Sequence, residues 1–510
     1  MHGPSSPDGG AATPTSTKDS SQLETGPLSP SKDTPDVAIG DVSTPLPSID
    51  AAAERKLVRK LDLLVMVMIF LMYFFNSIDR GNLANAKTDG MDTDLGFVGN
   101  QYSILVMVFY VPFCGLCLPA NLVTRKFQPK WFLVAFMLSW GTMAMICAAC
   151  KDFAQILVVR LLLGVAEAGF APCSMFYMST FYTRGELATR FAIWYTATVI
   201  SSAFSGVISY GLFQLDGPLH GWQYLFLVEG GLTVFVALLA ELILPKNPWT
   251  CRWLTDAEKQ LCIIRAERDS TSSVGSAWDF REGMQPFKTW QVYAWSLIGL
   301  CYGTSGSAVG SFLPQIVQLM GFPRLKTNLY TVAPNLVGAV ILLCIARSSD
   351  RFRERSGHLT LALLITFVGW IILLALNPAE HVPVAYFACF LLCGGAMTPT
   401  VLFHSWHASN TPTENGRIYV MSFLTGAANA GGIIASMTFR AEDAPRYLPF
   451  LGTAAGFEGV GMLLILGLRG WMRWDNRRRD RAMGTRLVSK DVRLSELVGG
   501  ARDVRWRWFV

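Results

Sequence analysis

From residue 61 to residue 470 the chain is a succession of apolar stretches broken by short polar turns. Each stretch is close to the ~20 residues that a helix needs to cross a bilayer. The pattern predicts helices over about 61–84, 100–121, 130–150, 154–180, 190–213 and 223–245, then about 290–318, 327–347, 358–376, 382–404, 417–438 and 447–470. Between the two sets, residues 246–289 are too charged to cross a membrane. The expected architecture is an all-α membrane protein with twelve transmembrane helices in two six-helix bundles. Its parts are an N-tail (1–54), a first bundle (55–245), a central loop (246–289), a second bundle (290–470) and a basic C-tail (471–510). Gly164, Gly169, Pro172, Gly303, Gly394 and Pro399 fall inside predicted helices. They are tolerated there because neighbouring helices re-satisfy the freed backbone groups and small residues allow close approach.

Composition agrees with the bilayer as solvent. Hydrophobic residues are 51% and charged ones 16% of the 510, against about 25% charged in soluble domains. The first 50 residues are rich in Ser, Thr and Pro and lack the apolar content to fold alone, so a disordered tail is expected. Ser-Pro or Thr-Pro pairs at Ser6, Thr13, Ser29, Thr34 and Thr44 leave two readings, a plain solvated tail or a phosphorylated one. The paired cysteines Cys114/Cys117, Cys147/Cys150 and Cys389/Cys393 lie within apolar runs without His or carboxylate companions, which makes them packing residues rather than metal ligands. No His/carboxylate/Ser or Cys constellation stands at catalytic spacing, so an enzyme is not expected.

The net charge of +6 informs through its placement. Arg55, Lys56, Arg59 and Lys60 precede the first helix, Arg125, Lys126 and Lys130 follow the second, and Arg347, Arg351, Arg353 and Arg355 follow the eighth. These fall on one side when helices alternate, and positive loops mark the cytoplasmic side. Both termini and the central loop are therefore expected in the cytoplasm. Basic residues hug predicted membrane edges, so no nucleic-acid partner is implied; the lipid bilayer is the surrounding partner.

Charges inside predicted helices are costly and therefore functional candidates. Helix 1 carries Asn76-Ser-Ile-Asp79-Arg80-Gly-Asn82-Leu-Ala-Asn85. Two readings stand for Asp79 and Arg80, an interfacial helix cap or a polar lining that continues for nearly two turns. Helix 4 carries Arg160 and Glu167, seven residues and ~10.5 Å apart on one helical face. They read either as a structural pair or as a cation and a carboxylate facing an aqueous cavity, the Arg offering a fork that matches a substrate carboxylate. Glu229 in helix 6 reads as a structural partner of another helix. His404 and His407 are taken as interface residues.

The helix 1 segment above, Arg160-Leu-Leu-Leu-Gly-Val-Ala-Glu-Ala-Gly-Phe-Ala-Pro172, Phe181-Tyr-Thr-Arg-Gly-Glu-Leu-Ala-Thr-Arg190 and Gly221-Trp-Gln-Tyr-Leu-Phe-Leu-Val-Glu-Gly230 together resemble one family. It is the anion:cation symporter branch of the major facilitator superfamily, with fungal allantoate- and nicotinate-permease-like proteins nearest in wording. Trp249 and Leu254-Thr-Asp-Ala-Glu-Lys259 add to the likeness, which spans residues 55–470. The resemblance implies the major facilitator fold, proton coupling at Asp79 and Glu167, and contact of Arg80 and Arg160 with an anionic substrate. Asn82, Asn85, Tyr302 and Asn415 are expected to complete the pocket. The superfamily's Asp-Arg latch between helices 2 and 3 is altered here to Asn121 ahead of Arg125, whereas Asp350-Arg351 keeps the acid between helices 8 and 9. Arg125, Asp350 and Arg351 are therefore gating candidates.

The expected function is proton-coupled symport of a small organic anion by alternating access, driven by the proton gradient without a cofactor, by a monomer in the plasma membrane. Two alternatives share the residues: an exporter of a secondary metabolite or toxic acid, and a nutrient receptor that binds without transporting.

Overall fold

The computed structural model describes residues 50–126, 128–269, 280–411, 413–485 and 503–510, with a few side chains inside these ranges, Arg125 among them, left out. The N-terminal tail and its Ser-Pro and Thr-Pro pairs lie outside the described residues. The spanning helices, numbered here in chain order, are α1 (Ala51–Thr88), α2 (Gln101–Lys126), α3 (Pro129–Cys147), α4 (Phe153–Ser179), α5 (Arg184–Leu212) and α6 (Gly221–Ile243), followed by α7 (Trp290–Gln318), α8 (Arg324–Phe352), α9 (Ser356–Ala375), α10 (Val382–Ser409), α11 (Glu414–Thr438) and α12 (Leu448–Met483). Among the described residues eleven are both long and apolar enough to span a membrane. The twelfth, α7, has the length, but Gly303-Thr304-Ser305-Gly306-Ser307 at its middle leaves it short of that apolarity. Large apolar side chains face outward, Leu463 at 71% exposure and Val340 at 60%. In water such a belt would be an aggregation surface; in lipid it is the solvated face.

Several boundaries depart from the apolar pattern for visible reasons. α1 begins a full ten residues early, capped by Asp50, whose side chain accepts from Ala52 N at 2.9 Å. Its first segment is amphipathic and passes through a π-helical turn at Asp62–Met66 before entering the apolar stretch. α4 is interrupted at Ala168-Gly169 and α10 at Met397. Pro172 and Pro399 follow these points, and neither can donate to the carbonyl four residues back.

The helices converge on two faces. The base carries the start of α1, residues 503–510 and the central segment; the rim is the opposite face. At the base, Arg265 of the helix Asp256–Asp269 is clamped between Glu54 (2.9 Å) and Glu186 (2.7 Å), and Lys60 reaches Glu258 at 2.7 Å. Residues 503–510 pack against α10 and α12, with Trp506 and Trp508 buried, Trp406 Nε1 donating to the Phe509 carbonyl at 2.9 Å and Trp508 Nε1 to Asp475 at 2.7 Å.

The two halves repeat one another in detail. Trp140 of α3 donates its indole N–H to Asp79 of α1 at 3.1 Å, and Trp370 of α9 donates to Ser305 of α7 at 2.8 Å. Beside each stands a buried glutamate, Glu229 on α6 and Glu458 on α12. The α1–α3–α6 arrangement is thus echoed by α7–α9–α12, as in a parallel internal repeat of two bundles.

Candidate functional site

The intramembrane charges of the first half meet around α1 and α4. The polar residues at positions 76, 79, 80, 82 and 85 of α1 spread round more than half of the helix at about 100° per residue, so they turn to different neighbours. Asn76 and Arg80 reach helix 4, where Arg160 and Glu167 are 3% and 1% exposed.

Glu167 is the centre of the cluster. Its Oε2 accepts from Arg80 Nε at 2.7 Å and from Asn76 Nδ2 at 3.1 Å. The partner therefore comes from α1, not from Arg160 on Glu167's own helix. The Arg80 guanidinium lies over the Phe113 ring at 4.7 Å and the Phe109 ring at 5.7 Å. Its side chain keeps 34% exposure, leaving the outer nitrogens open to a ligand.

Asp79 sits apart from that pair. Trp140 Nε1 and Thr233 Oγ1 both donate to Oδ2, at 3.1 and 2.9 Å, and Asn82 Nδ2 approaches Oδ1 at 3.5 Å. Two donors are thus aimed at one oxygen, and a third approaches the other.

Arg160 has no acidic partner at contact distance among the described residues. Its guanidinium lies 5.6 Å over the Phe226 ring, and its Nε has no hydrogen-bond partner. Arg160, Arg80, Tyr102, Phe109, Tyr110 and, from the second half, Ser311 line a cavity of about 30 Å3, room for about one water. On its rim side Tyr102 Oη donates to the Ser311 carbonyl at 3.3 Å, and Gln315 Nε2 donates to the Ala84 carbonyl at 2.9 Å.

The other expected site residues are placed elsewhere. Asn82 joins Asp79, while Asn85 donates to Ser205 of α5 at 2.7 Å nearer the rim. Tyr302 is 4% exposed and packs on Phe403 within the core of the second half, ring centroids 5.1 Å apart. Asn415 stands at the base, donating to Glu282 of the central segment at 2.7 Å. Asp350 pairs with Arg355 at 2.6 Å and Arg351 is exposed. The Arg125 side chain lies outside the described residues. Nearer the base, Asn121 Nδ2 reaches Ser422 Oγ across the halves at 2.5 Å.

Sequence reasoning missed Asn76, Trp140 and Thr233 as partners, because neutral donors inside apolar helices carry no charge signal. It also passed over Glu458, which is 1% exposed in α12 and bears the same signal that singled out Glu229: a lone acid in an apolar run.

Known proteins are similar to this chain in sequence and fold. The family model of the Major Facilitator Superfamily matches residues 69–471. An MFS-type transporter of Hormonema carpetanum, efuF, is 45% identical, covering 90% of this chain and 92% of its own. The high-affinity nicotinic acid transporter of Saccharomyces cerevisiae is 29% identical over 82% of this chain and 78% of its own. Among solved structures, a bacterial homolog to the human lysosomal transporter Spinster, inward-facing and unoccupied, superposes with a TM-score of 0.59 at 16% identity, covering 79% of this chain and 97% of that one. With its twelve helices in two repeated halves, this chain is a membrane transporter that belongs to the Major Facilitator Superfamily.

Proposed function

We propose that this transporter carries a small organic anion together with protons, by alternating access of a site between the two halves. The observation that carries the reading is Arg160, a buried cation without an acidic partner at contact distance among the described residues, facing the same cavity as Arg80. An unpaired guanidinium inside a membrane costs several kcal/mol, and a substrate carboxylate would relieve that cost through a two-pronged hydrogen bond. Arg80 then has two competing acids, Glu167 and the substrate. A proton on Glu167 weakens its hold on Arg80 and frees the guanidinium for the anion; loss of the proton returns Arg80 to Glu167 and expels the anion. Asp79 takes the second proton, held in place by Trp140, Thr233 and Asn82. Asp350 and Arg351, with Arg125, gate the base, which faces the cytoplasm of a plasma-membrane importer acting as a monomer, without a cofactor. A monocarboxylate such as nicotinate is the first candidate, since a 29% identical relative is named for nicotinic acid.

The test is uptake of labelled nicotinate and a panel of aromatic and aliphatic monocarboxylates into proteoliposomes with an imposed pH gradient. At least one panel member should accumulate when the outside is acid. Arg160→Ala should weaken its apparent affinity about ten- to hundredfold, the size of a lost hydrogen bond to a charged group. Glu167→Gln should remove the dependence on the pH gradient while leaving exchange of substrate. Failure of every panel member to accumulate, or undiminished acid stimulation in Glu167→Gln, sinks the proposal.

A further inference from the structure

Residues 503–510 pass back along the base end of α12. Arg479 Nη1 donates to the Asp503 carbonyl at 2.6 Å, Arg507 pairs with Asp480 at 2.9 Å, and Trp508 Nε1 donates to Asp475 Oδ2 at 2.7 Å. The next contacts lie on other elements. Phe509 meets Asn410, the residue that ends α10. The Val510 carbonyl accepts from the Arg355 N–H, in the turn between α8 and α9, at 3.2 Å. Arg355 in turn holds Asp350 at 2.6 Å and Ser349 Oγ at 3.0 Å.

Two asparagines make a seat for this segment. Asn476 Nδ2 donates to the Trp508 carbonyl at 2.9 Å, while its Oδ1 accepts from the Trp508 N–H at 2.8 Å. Asn410 repeats the clasp on Phe509, with both bonds at 2.8 Å. A carboxamide has an acceptor and two donors, so one side chain can satisfy both main-chain groups of one residue. Such clasps hold a peptide backbone whatever its side chains, and pockets supply the selectivity. Here the pockets take tryptophan. Trp506 and Trp508 are 2% and 6% exposed and share a core with Trp406, Leu468 and Met472. Buried aromatic anchors of this kind carry most of the affinity of a peptide or protein interface.

We propose that the base of the second half is a peptide-binding site, that its ligand is the chain's own segment Trp506-Arg507-Trp508-Phe509-Val510, and that the seated segment braces the elements around it. α10 is interrupted at Met397, and its base half, Thr398–Ser409, is tied to the segment through Trp406 and, just beyond it, Asn410. A helix broken in this way bends where its far end is free to swing. With the far end clasped, the base half of α10 and the Asp350–Arg355 turn are carried with α12. Seating or release of the segment therefore sets how freely the base of the second half moves.

The experiment is hydrogen–deuterium exchange of the full chain in phosphatidylcholine vesicles, read by mass spectrometry over residues 503–510, 349–356 and 398–410. Residues 503–510 should exchange at least tenfold more slowly than the same eight residues as a free peptide. Asn410→Ala and Asn476→Ala should each raise that exchange about tenfold. Trp508→Ala should also raise exchange over 349–356 and 398–410, with α3 in the other half unchanged. Free peptide of residues 503–510 should then restore protection over 349–356 and 398–410, and a peptide carrying Trp508→Ala should not. In the unaltered chain, excess free peptide should speed exchange of the chain's own 503–510 while 349–356 stays protected. Exchange of 503–510 as fast as in the free peptide overturns the seat. Unaltered exchange of 349–356 and 398–410 in Trp508→Ala overturns the brace, and failure of the free peptide both to restore and to compete overturns the binding site.

Discussion

Around Asp79, a neutral side chain sets the behaviour of a charged one. Trp140 Nε1 and Thr233 Oγ1 both donate to its Oδ2, and such bonds stabilise the ionised form. Trp140→Phe keeps the ring and removes one donor, a loss of about 1.5–3 kcal/mol for a bond to a charged group. Acid-stimulated uptake in proteoliposomes should then fall about tenfold or more; undiminished uptake would show that the indole only fills space. The four charges themselves were legible from sequence, because an Asp, Glu or Arg within an apolar run announces itself. Their pairing was not. Arg160 and Glu167 share a helical face, yet Glu167 takes its salt bridge from Arg80, 87 residues away. Only the tertiary placement of the two helices decides that, and Arg160, on the same helix as Glu167, has no acid at contact distance among the described residues. Tyr302 and Asn415 show the same limit from the other side. Both have chemistry suited to a pocket, and the fold directs one into a core and the other to the base.

Helices were far more legible than partners, since hydropathy and length alone locate each span. α7 is the instructive case. Its small polar middle lowers its hydropathy, but the residues responsible are those that let it pack. A Cβ on Gly303 would run into the Ala428 carbonyl oxygen of α11, and one on Gly431 of α11 would meet the backbone of Thr304. The two helices thus meet glycine to backbone in both directions, the close approach that replaces hydrophobic driving force in lipid. Gly303→Val should lower the thermal unfolding midpoint in detergent by several degrees, as expected for overpacking of about 1–3 kcal/mol. Gly452 of α12 has open space around its Cβ position, and Gly452→Ala should leave the midpoint unmoved. What the apolar pattern could not reveal was the polar continuation of helices beyond it. The early start of α1 is held by an Asp50 cap and by ion pairs to the central segment, interactions with no hydropathy signature.

Across the whole molecule, hydrogen bonds between the halves gather at the rim. Asn328 and Thr88 bond side chain to side chain at 3.0 Å, Gln315 reaches the Ala84 carbonyl at 2.9 Å, and the Ala441 N–H donates to Asn100 at 2.7 Å. Asn328→Ala removes one of these while leaving the site untouched. It should shift the population toward rim-open forms about fivefold, as one bond of about 1 kcal/mol allows. Spin labels at the exposed Asp216 and Glu380, on the rim turns of the two halves, should report longer distances; an unaltered distribution would mean that apolar packing alone closes the rim. The repeat that joins the halves has one break in its chemistry. Where the first half places Asp79 under its tryptophan, the second places Ser305. A coupled carrier accumulates its cargo about tenfold per pH unit for each proton that travels with it. On the proposed coupling the number of acids would be a gear ratio, and a duplicated frame that keeps the acid in only one copy would run in a lower gear than its geometry permits. Ser305, already gripped by Trp370 and flanked by Glu458, marks the position where a single substitution would raise the number of teeth.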